Sequence, residues 1–133
     1  MNEMAVIYLA KAQASLAGAQ SEFANGRFDN CANRSYYACF QAAIAALLYA
    51  GISPRGSVAQ WKHEFVQAQF AGALVNSRKH YDSSLRDTLP RLQIHRLKAD
   101  YEADTVTQIQ ASRGFRRATE FVEMINKRLG NSS

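Results

Sequence analysis

The residues best placed to do chemistry lie on one predicted helix, over about residues 84–100. Its leucines recur every three or four residues, which is the spacing of one helical face. The same spacing continues to Arg96 and then to Asp100, so an arginine and a carboxylate stand where apolar residues should follow. Tyr101 comes next and could hydrogen-bond to the same pair. The two charges form either a structural ion pair or part of a functional site.

A second polar group lies on a helix that is otherwise apolar. Asn33 and Arg34 stand one turn before Tyr37, in a segment where few side chains are suited to contact with water. Buried polar groups need partners. If this helix packs beside the predicted helix over residues 84–100, Asn33 and Arg34 could share one pocket with Arg96 and Asp100. Two separate local networks are the simpler interpretation.

The three histidines do not form a metal motif. His63, His80 and His95 are separated by 16 and 14 residues, and neither HExxH nor an acid-rich loop occurs. Phosphate-cradling glycine loops and the GxSxG nucleophile elbow are also missing from the sequence. We therefore predict that the protein uses no metal and no cofactor.

Basic side chains are concentrated in the second half of the chain. One set comprises Arg86, Arg91, His95 and Lys98, and a second run covers 113–117. Either set could bind phosphate, although a solvated helix face is the usual explanation. The net charge of +5 favours polyanionic partners without identifying one.

The elements that must position these residues are helices. The sequence contains two prolines, seven glycines and few β-branched runs, and alanine recurs throughout, so the fold class is all-α. Asp29 is the predicted N-cap of the second helix and Gly51 its end, while Thr105 and Gln108 form a predicted capping box for the fifth. Apolar spacing predicts helices over about residues 4–23, 29–50, 58–75, 84–100 and 105–129.

The size and the apolar pattern also carry expectations about organisation. A chain of 133 residues has the length of one domain, so we predict a single domain over 1–133. The second helix has almost no polar surface, which predicts a homodimer that covers it. Neither a leader sequence nor an apolar stretch long enough for a membrane is recognisable, so we expect a cytoplasmic protein with no membrane partner.

Three segments of the sequence are characteristic of a known family. They are Asn33-Arg-Ser-Tyr-Tyr-Ala-Cys-Phe-Gln-Ala-Ala, then Lys62-His63 with Phe70 seven residues later, and Leu92-x-x-x-Arg96-x-x-Ala-Asp-Tyr101. Over residues 5–125 the chain resembles the HEPN domain family (higher eukaryotes and prokaryotes nucleotide-binding), in particular its small stand-alone prokaryotic branch with an Arg-x-x-Ala-Asp-Tyr motif.

The resemblance implies a four- to five-helix up-down bundle that forms homodimers with polar sites near the dimer cleft. It also implies a role beside a nucleotidyltransferase partner, often as the toxin of a toxin-antitoxin pair, and binding of RNA or a nucleotide. From the polar clusters and the family motifs together, the predicted binding residues are Asn33, Arg34, Tyr37, His63, Arg96, Asp100 and Tyr101.

Many members of the family are metal-independent ribonucleases with an Arg-x(4–6)-His motif, which this chain lacks. Only three residues separate Arg91 from His95, and the residue four positions after Arg96 is Asp100 rather than a histidine. An ionised aspartate repels phosphate and cannot donate a proton at pH 7 unless its pKa is raised. The departure favours binding over cleavage.

Three interpretations of function stay open at this point. The first is a HEPN-type component of a two-protein toxin-antitoxin or defence module, which binds RNA, a nucleotide or its nucleotidyltransferase partner. The second is a metal-independent ribonuclease toxin, and the third is a non-catalytic helical adaptor. If the chain is catalytic, the candidate residues are Arg96, Asp100, Tyr101 and His95.

Overall fold

Five α-helices account for most of the chain in a computed structural model, which describes residues 2–55, 60–101 and 105–130. No strand occurs in those three ranges, so the predicted all-α helical fold is confirmed. An eight-residue π-helix, Phe70–Ser77, continues the third helix, and a short 3-10 turn, Ser83–Leu85, precedes the fourth. The helices are α1 Glu3–Ala24, α2 Phe28–Tyr49, α3 His63–Gln69, α4 Thr88–Tyr101 and α5 Gln108–Arg128.

Helix α2 lies at the centre of the bundle and contacts all four other helices. Thirteen of its 22 residues are buried, many of them alanines that let neighbouring helices approach closely. Its larger side chains join one core with residues of α1, the π-helix and α5. That cover comes from a single chain, so burial of α2 no longer argues for a homodimer and this reason for the prediction is wrong.

Two predicted helix caps lie at other residues. Asp29 does not cap α2; its carboxylate instead accepts a hydrogen bond from the Val106 backbone at 2.7 Å, which ties the start of α2 to the segment before α5. The capping box of α5 is formed by Thr107 and Gln110, two residues later than predicted. Thr-x-x-Gln occurs in both registers, so the motif could not decide between them.

The end of α2 is as the sequence predicts. Gly51 adopts a φ of 80°, a left-handed conformation that glycine tolerates without strain. The Ile52 amide then donates to the Leu47 carbonyl at 2.8 Å, which completes the hydrogen bonds of a Schellman ending.

The third and fourth helices are shorter than their predicted spans. The third begins only at His63, and residues 58 and 59 of the predicted span lie outside the described residues. The fourth begins at Thr88 with Pro90 in its first turn, where the missing amide hydrogen breaks no helical hydrogen bond. Residues 102–104 and 131–133 also lie outside the described residues.

Helix α4 positions the polar residues because it packs against two neighbours at once. It contacts α2 on one side and α5 on the other, so residues a few positions apart on α4 reach different surroundings. Within the described part of the chain, no helix has the length and apolar content needed to cross a membrane.

Candidate nucleic-acid interface

Arg96 of α4 lies over two consecutive tyrosines of α2. The carbon of its guanidinium is 5.5 Å from the centre of the Tyr36 ring and 5.4 Å from that of Tyr37. Tyr36 is fully buried, Tyr37 is half-buried, and only 13% of the Arg96 side chain is exposed. A guanidinium held over aromatic rings in this way is stabilised by cation–π attraction. The packing therefore fixes a positive charge beside an aromatic surface.

Asp100 connects the two helices at the edge of this arrangement. Its carboxylate oxygen lies 3.6 Å from Arg96 Nε, one helical turn away. Asn33 of α2 donates from Nδ2 to both carboxylate oxygens, at 3.2 and 3.3 Å. Asn33 of the second helix therefore meets Arg96 and Asp100 of the fourth in one place, rather than in a separate network as in the simpler interpretation.

His63, the first residue of α3, stacks on the same aromatic surface. Its ring lies 5.4 Å from Tyr36 and 4.5 Å from Phe40, with interplanar angles of 19° and 26°. Its Nδ1 is 2.6 Å from the Tyr36 hydroxyl, which also accepts a hydrogen bond from Gln67 Nε2 at 3.2 Å. The Tyr36 hydroxyl can donate to a His63 ring protonated on Nε2 or accept from one protonated on Nδ1, so the tautomer sets the direction of this bond. In either case Tyr36 occupies His63 Nδ1.

Burial and charge keep both rings neutral. Burial raises the pKa of Tyr36 to about 12, so its hydroxyl stays protonated near pH 7. Burial, assisted by the positive charge of Arg96, lowers the pKa of His63 below its usual 6.5. The site thus holds one cation, Arg96, among uncharged aromatic groups, with the Asp100 carboxylate at its edge. We call Tyr36, Tyr37, Phe40, His63 and Arg96 the aromatic–arginine site.

Comparison with known families identifies the chain. The family model described as HEPN domain matches residues 5–129, which is nearly the whole chain. The protein belongs to the HEPN domain family. That membership is consistent with binding of a nucleotide or RNA, or with a ribonuclease-like role. No curated protein matches the chain.

Three predicted site residues of this HEPN domain lie away from the aromatic–arginine site or beyond description. Arg34 points to α1, where a guanidinium nitrogen lies 3.4 Å from the position that a Cβ on Gly18 would occupy. It therefore does not share the pocket of Asn33, Arg96 and Asp100, which was one of the two alternatives. His95 lies on the α5 side of α4, in a groove with Arg91 and Arg117. The backbone of Tyr101 ends α4, and its side chain lies outside the described residues.

The sequence analysis did not predict three polar residues that hold the aromatic–arginine site together, namely Tyr36, Gln67 and Gln93. Tyr36 lies in the first of the three family segments, but an aromatic side chain in a predicted core does not by itself indicate a functional role. Gln67 joins α3 to α4 through a 2.8 Å hydrogen bond to Gln93, besides its bond to Tyr36. Each glutamine lies one turn from a selected residue, Gln67 four after His63 and Gln93 three before Arg96. That spacing was the available signal.

The described residues hold no group of three or more His, Cys, Asp or Glu side chains that could bind a metal ion. Both cysteines, Cys31 and Cys39, are buried free thiols, and burial raises the pKa of each. Buried thiols with a raised pKa are poor nucleophiles. Among the described residues, the aromatic–arginine site therefore offers stacking surface, a fixed positive charge and neutral hydrogen-bonding groups.

Proposed function

We propose that this HEPN domain binds single-stranded RNA, or a nucleotide derived from it, at the aromatic–arginine site. The observation that carries the proposal is the Arg96 guanidinium fixed over Tyr36 and Tyr37, beside the stacked ring of His63. Aromatic faces stack on nucleobases of any sequence, and a neighbouring arginine attracts phosphate and adds cation–π contact. The net charge of +5 supports the same class of ligand.

The site favours binding over cleavage. Metal-independent cleavage needs one group to accept the 2′-hydroxyl proton, another to protonate the leaving oxygen, and a cation for the phosphate. His63 Nδ1 is occupied by the Tyr36 hydroxyl, and Asp100 is held by Asn33 and Arg96. Both candidate proton-transfer groups therefore already have a partner within the protein, which favours binding as their role.

A ribonuclease toxin is the second candidate function, and one observation favours it. His63 is neutral and lies close enough to Arg96 for that positive charge to lower its pKa. A ligand that displaced the Tyr36 hydroxyl would release a histidine able to accept a proton beside a phosphate-binding cation. The binding function predicts that a bound RNA stays intact, whereas the ribonuclease function predicts that the same RNA is cleaved.

Binding can be tested with a labelled single-stranded RNA oligomer followed by fluorescence anisotropy. We expect Tyr37→Ala to weaken binding about 5- to 150-fold, because loss of one stacked base contact costs about 1–3 kcal/mol. Tyr49→Ala is the matched control, since Tyr49 is an exposed tyrosine at the far end of the same helix. Equal affinity of the two variants would contradict the proposed site.

Cleavage is tested by incubating the same RNA with the wild-type protein and a chelator. We expect the RNA to stay intact. Cleavage that His63→Gln abolishes and His80→Gln preserves would replace the binding function with the ribonuclease function.

We also propose that the protein forms a homodimer. Apolar side chains at one end of α1, namely Met4, Val6 and Ile7, are 44–48% exposed, which supports a homodimer. Sedimentation velocity at micromolar concentration should give a dimer, and a monomer would contradict the proposed homodimer.

The proposed toxin-antitoxin or defence module also needs a second protein. The sequence of this chain has no nucleotidyltransferase motif, so nucleotidyltransferase activity in such a module must come from a separate protein. Co-purification from the native cell with a nucleotidyltransferase would support that assignment.

A further inference from the structure

The two basic stretches of the sequence meet in one groove between α4 and α5. Arg91 and His95 line it from α4, and Gln110, Arg113 and Arg117 line it from α5. The groove has a volume of about 330 Å³ and is open to solvent. It lies on the side of α4 away from α2, so it is separate from the aromatic–arginine site. We call it the α4–α5 groove.

Close packing of the two helices forms the floor of the α4–α5 groove. Gly114 is buried, and a Cβ built there would lie 3.4 Å from a methyl carbon of Leu92. On one wall Arg113 and Arg117 are four residues apart, which corresponds to a rise of about 6 Å along the helix. Arg91 stands on the opposite wall, and all three arginines are exposed. The cations therefore follow the groove rather than converge on one point.

These arginines have no anionic partner within the described ranges. Ion pairs there join Arg27 to Glu22 and Arg96 to Asp100, and none involves Arg91, Arg113 or Arg117. Several like charges side by side repel one another, and a bound anion relieves that repulsion. The groove is therefore arranged for an anionic ligand.

His95 lies in the same groove and has a ring nitrogen that is unpaired within the described part of the chain. Its Nδ1 is buried and has no hydrogen-bond partner among the described residues. Buried polar atoms are rarely left without a partner in proteins. Burial, together with the positive charges of Lys98 and Arg117, lowers the pKa of His95, so the ring is neutral near pH 7. A neutral imidazole can donate one hydrogen bond and accept another.

We propose that the α4–α5 groove binds the phosphate backbone of an RNA strand, as a second contact surface of this protein. One guanidinium group can bind two phosphate oxygens at once. A row of guanidinium groups therefore suits the successive phosphates of a strand better than a single phosphate. Ile94, 65% exposed at the rim, offers an apolar contact for a sugar or a base. The inference rests on the proposed function, because α4 is the wall shared by the groove and the aromatic–arginine site.

The test compares Arg113→Gln/Arg117→Gln with Arg116→Gln in RNA binding across a salt series. Arg116 is an exposed arginine on the same helix that lies beside Glu120, outside the groove. We expect the double variant to lose at least about tenfold in affinity. The slope of log K against log salt should fall by about 1.4, or 0.7 for each lost phosphate contact. Arg116→Gln should change neither quantity, and thermal melting checks that both variants fold.

Equal affinity and equal salt slope in the double variant and in Arg116→Gln would overturn the groove and leave RNA binding at the aromatic–arginine site intact. Loss of RNA binding only in Tyr37→Ala would have the same meaning. NMR of the His95 ring supplies a second readout, since RNA should shift its nitrogen resonances in the wild type and much less in the double variant. If RNA does not bind but inorganic pyrophosphate shifts those resonances, the RNA occupant is wrong. Absence of both effects would contradict the groove and the proposed function together.

Discussion

The arginines on the two sides of helix α4 differ in burial and in their partners. Toward α2, Arg96 is 13% exposed, lies over two tyrosine rings and has a carboxylate 3.6 Å away. Toward α5, Arg113 and Arg117 face Arg91 across an open groove, and no carboxylate pairs with any of them within the described residues. One side therefore holds its arginine against aromatic rings and a carboxylate, whereas the other leaves its arginines without a carboxylate partner among the described residues.

The difference shows that surroundings decide what an arginine does. A buried guanidinium with aromatic and carboxylate partners contributes to the stability of the fold, because its removal leaves those partners unpaired. An exposed guanidinium beside other cations contributes little to stability and raises the local concentration of anions. We therefore expect stability to depend on the first side of α4, and the salt dependence of RNA binding to depend on the second.

The largest expected effect comes from comparing Arg96→Ala with Arg117→Ala. Removal of Arg96 leaves Asp100 without its cation and the rings of Tyr36 and Tyr37 without their cover. We expect a loss of about 3 kcal/mol in the free energy of unfolding, the lower end for a broken buried pair, because Asp100 is about a third exposed and keeps its bonds from Asn33. The melting temperature should fall by about 10 °C.

Arg117→Ala should change the free energy of unfolding by less than about 0.5 kcal/mol, as surface substitutions usually do. Urea titration of both variants, with a shared slope, measures the difference. If the two variants lose the same stability, the proposed division of roles between the sides of α4 is wrong.

Sequence analysis found the fold because the signals for the helices were redundant. Apolar spacing, the glycine at the end of α2 and the lack of β-branched runs all favoured the same architecture. Arg96 and Asp100 were found for a related reason, since charges stood out on an apolar stripe. Helix ends were less certain because Thr-x-x-Gln fits two registers and the start of α3 has no side-chain cap.

The composition of the site could not be predicted because it depends on packing between helices. Nothing in the local sequence indicates that Asn33 reaches Asp100, or that Arg34, one residue later, turns to α1 instead. The Tyr36 hydroxyl became part of the site only when His63 and Gln67 were placed beside it by α3. Interactions of this kind join residues that are distant in sequence, so periodicity does not report them.

A smaller effect is expected from pH, and it concerns both sides of α4. The pKa values of His63 and His95 are lowered in the folded protein relative to the usual 6.5. The unfolded chain therefore binds protons more readily, so the stability that these residues contribute is complete above about pH 6.5 and is lost as the pH falls. The urea midpoint should be higher at pH 7.5 than at pH 5.5.

The same measurement separates the two sides of α4. His63→Gln and His95→Gln should each flatten part of the pH dependence, because glutamine forms hydrogen bonds without titrating. Burial also lowers the pKa of His80, which lies outside α4, so part of the pH dependence should persist in both variants. The pKa values of Glu22 and Asp82 are lowered from 4.5 and 3.8 and so act below the range tested. A pH dependence that both variants leave unchanged would contradict the role of these histidines.

The smallest expected effect concerns the floor of the α4–α5 groove. In Gly114→Ala the new methyl group would lie 3.4 Å from the end of the flexible Leu92 side chain, which is an ordinary contact distance. Alanine favours the interior of a helix by up to about 1 kcal/mol over glycine, and a small shift of Leu92 offsets part of that gain. We therefore expect a change of less than about 1 kcal/mol in the free energy of unfolding, with RNA affinity close to that of the wild type. Gly18→Ala in α1 is the matched control, since its methyl group would meet Arg34 at the same distance. A loss of more than about 2 kcal/mol in Gly114→Ala but not in Gly18→Ala would show that α4 and α5 tolerate no added volume beneath the groove, and that the positions of its arginines depend on that close contact.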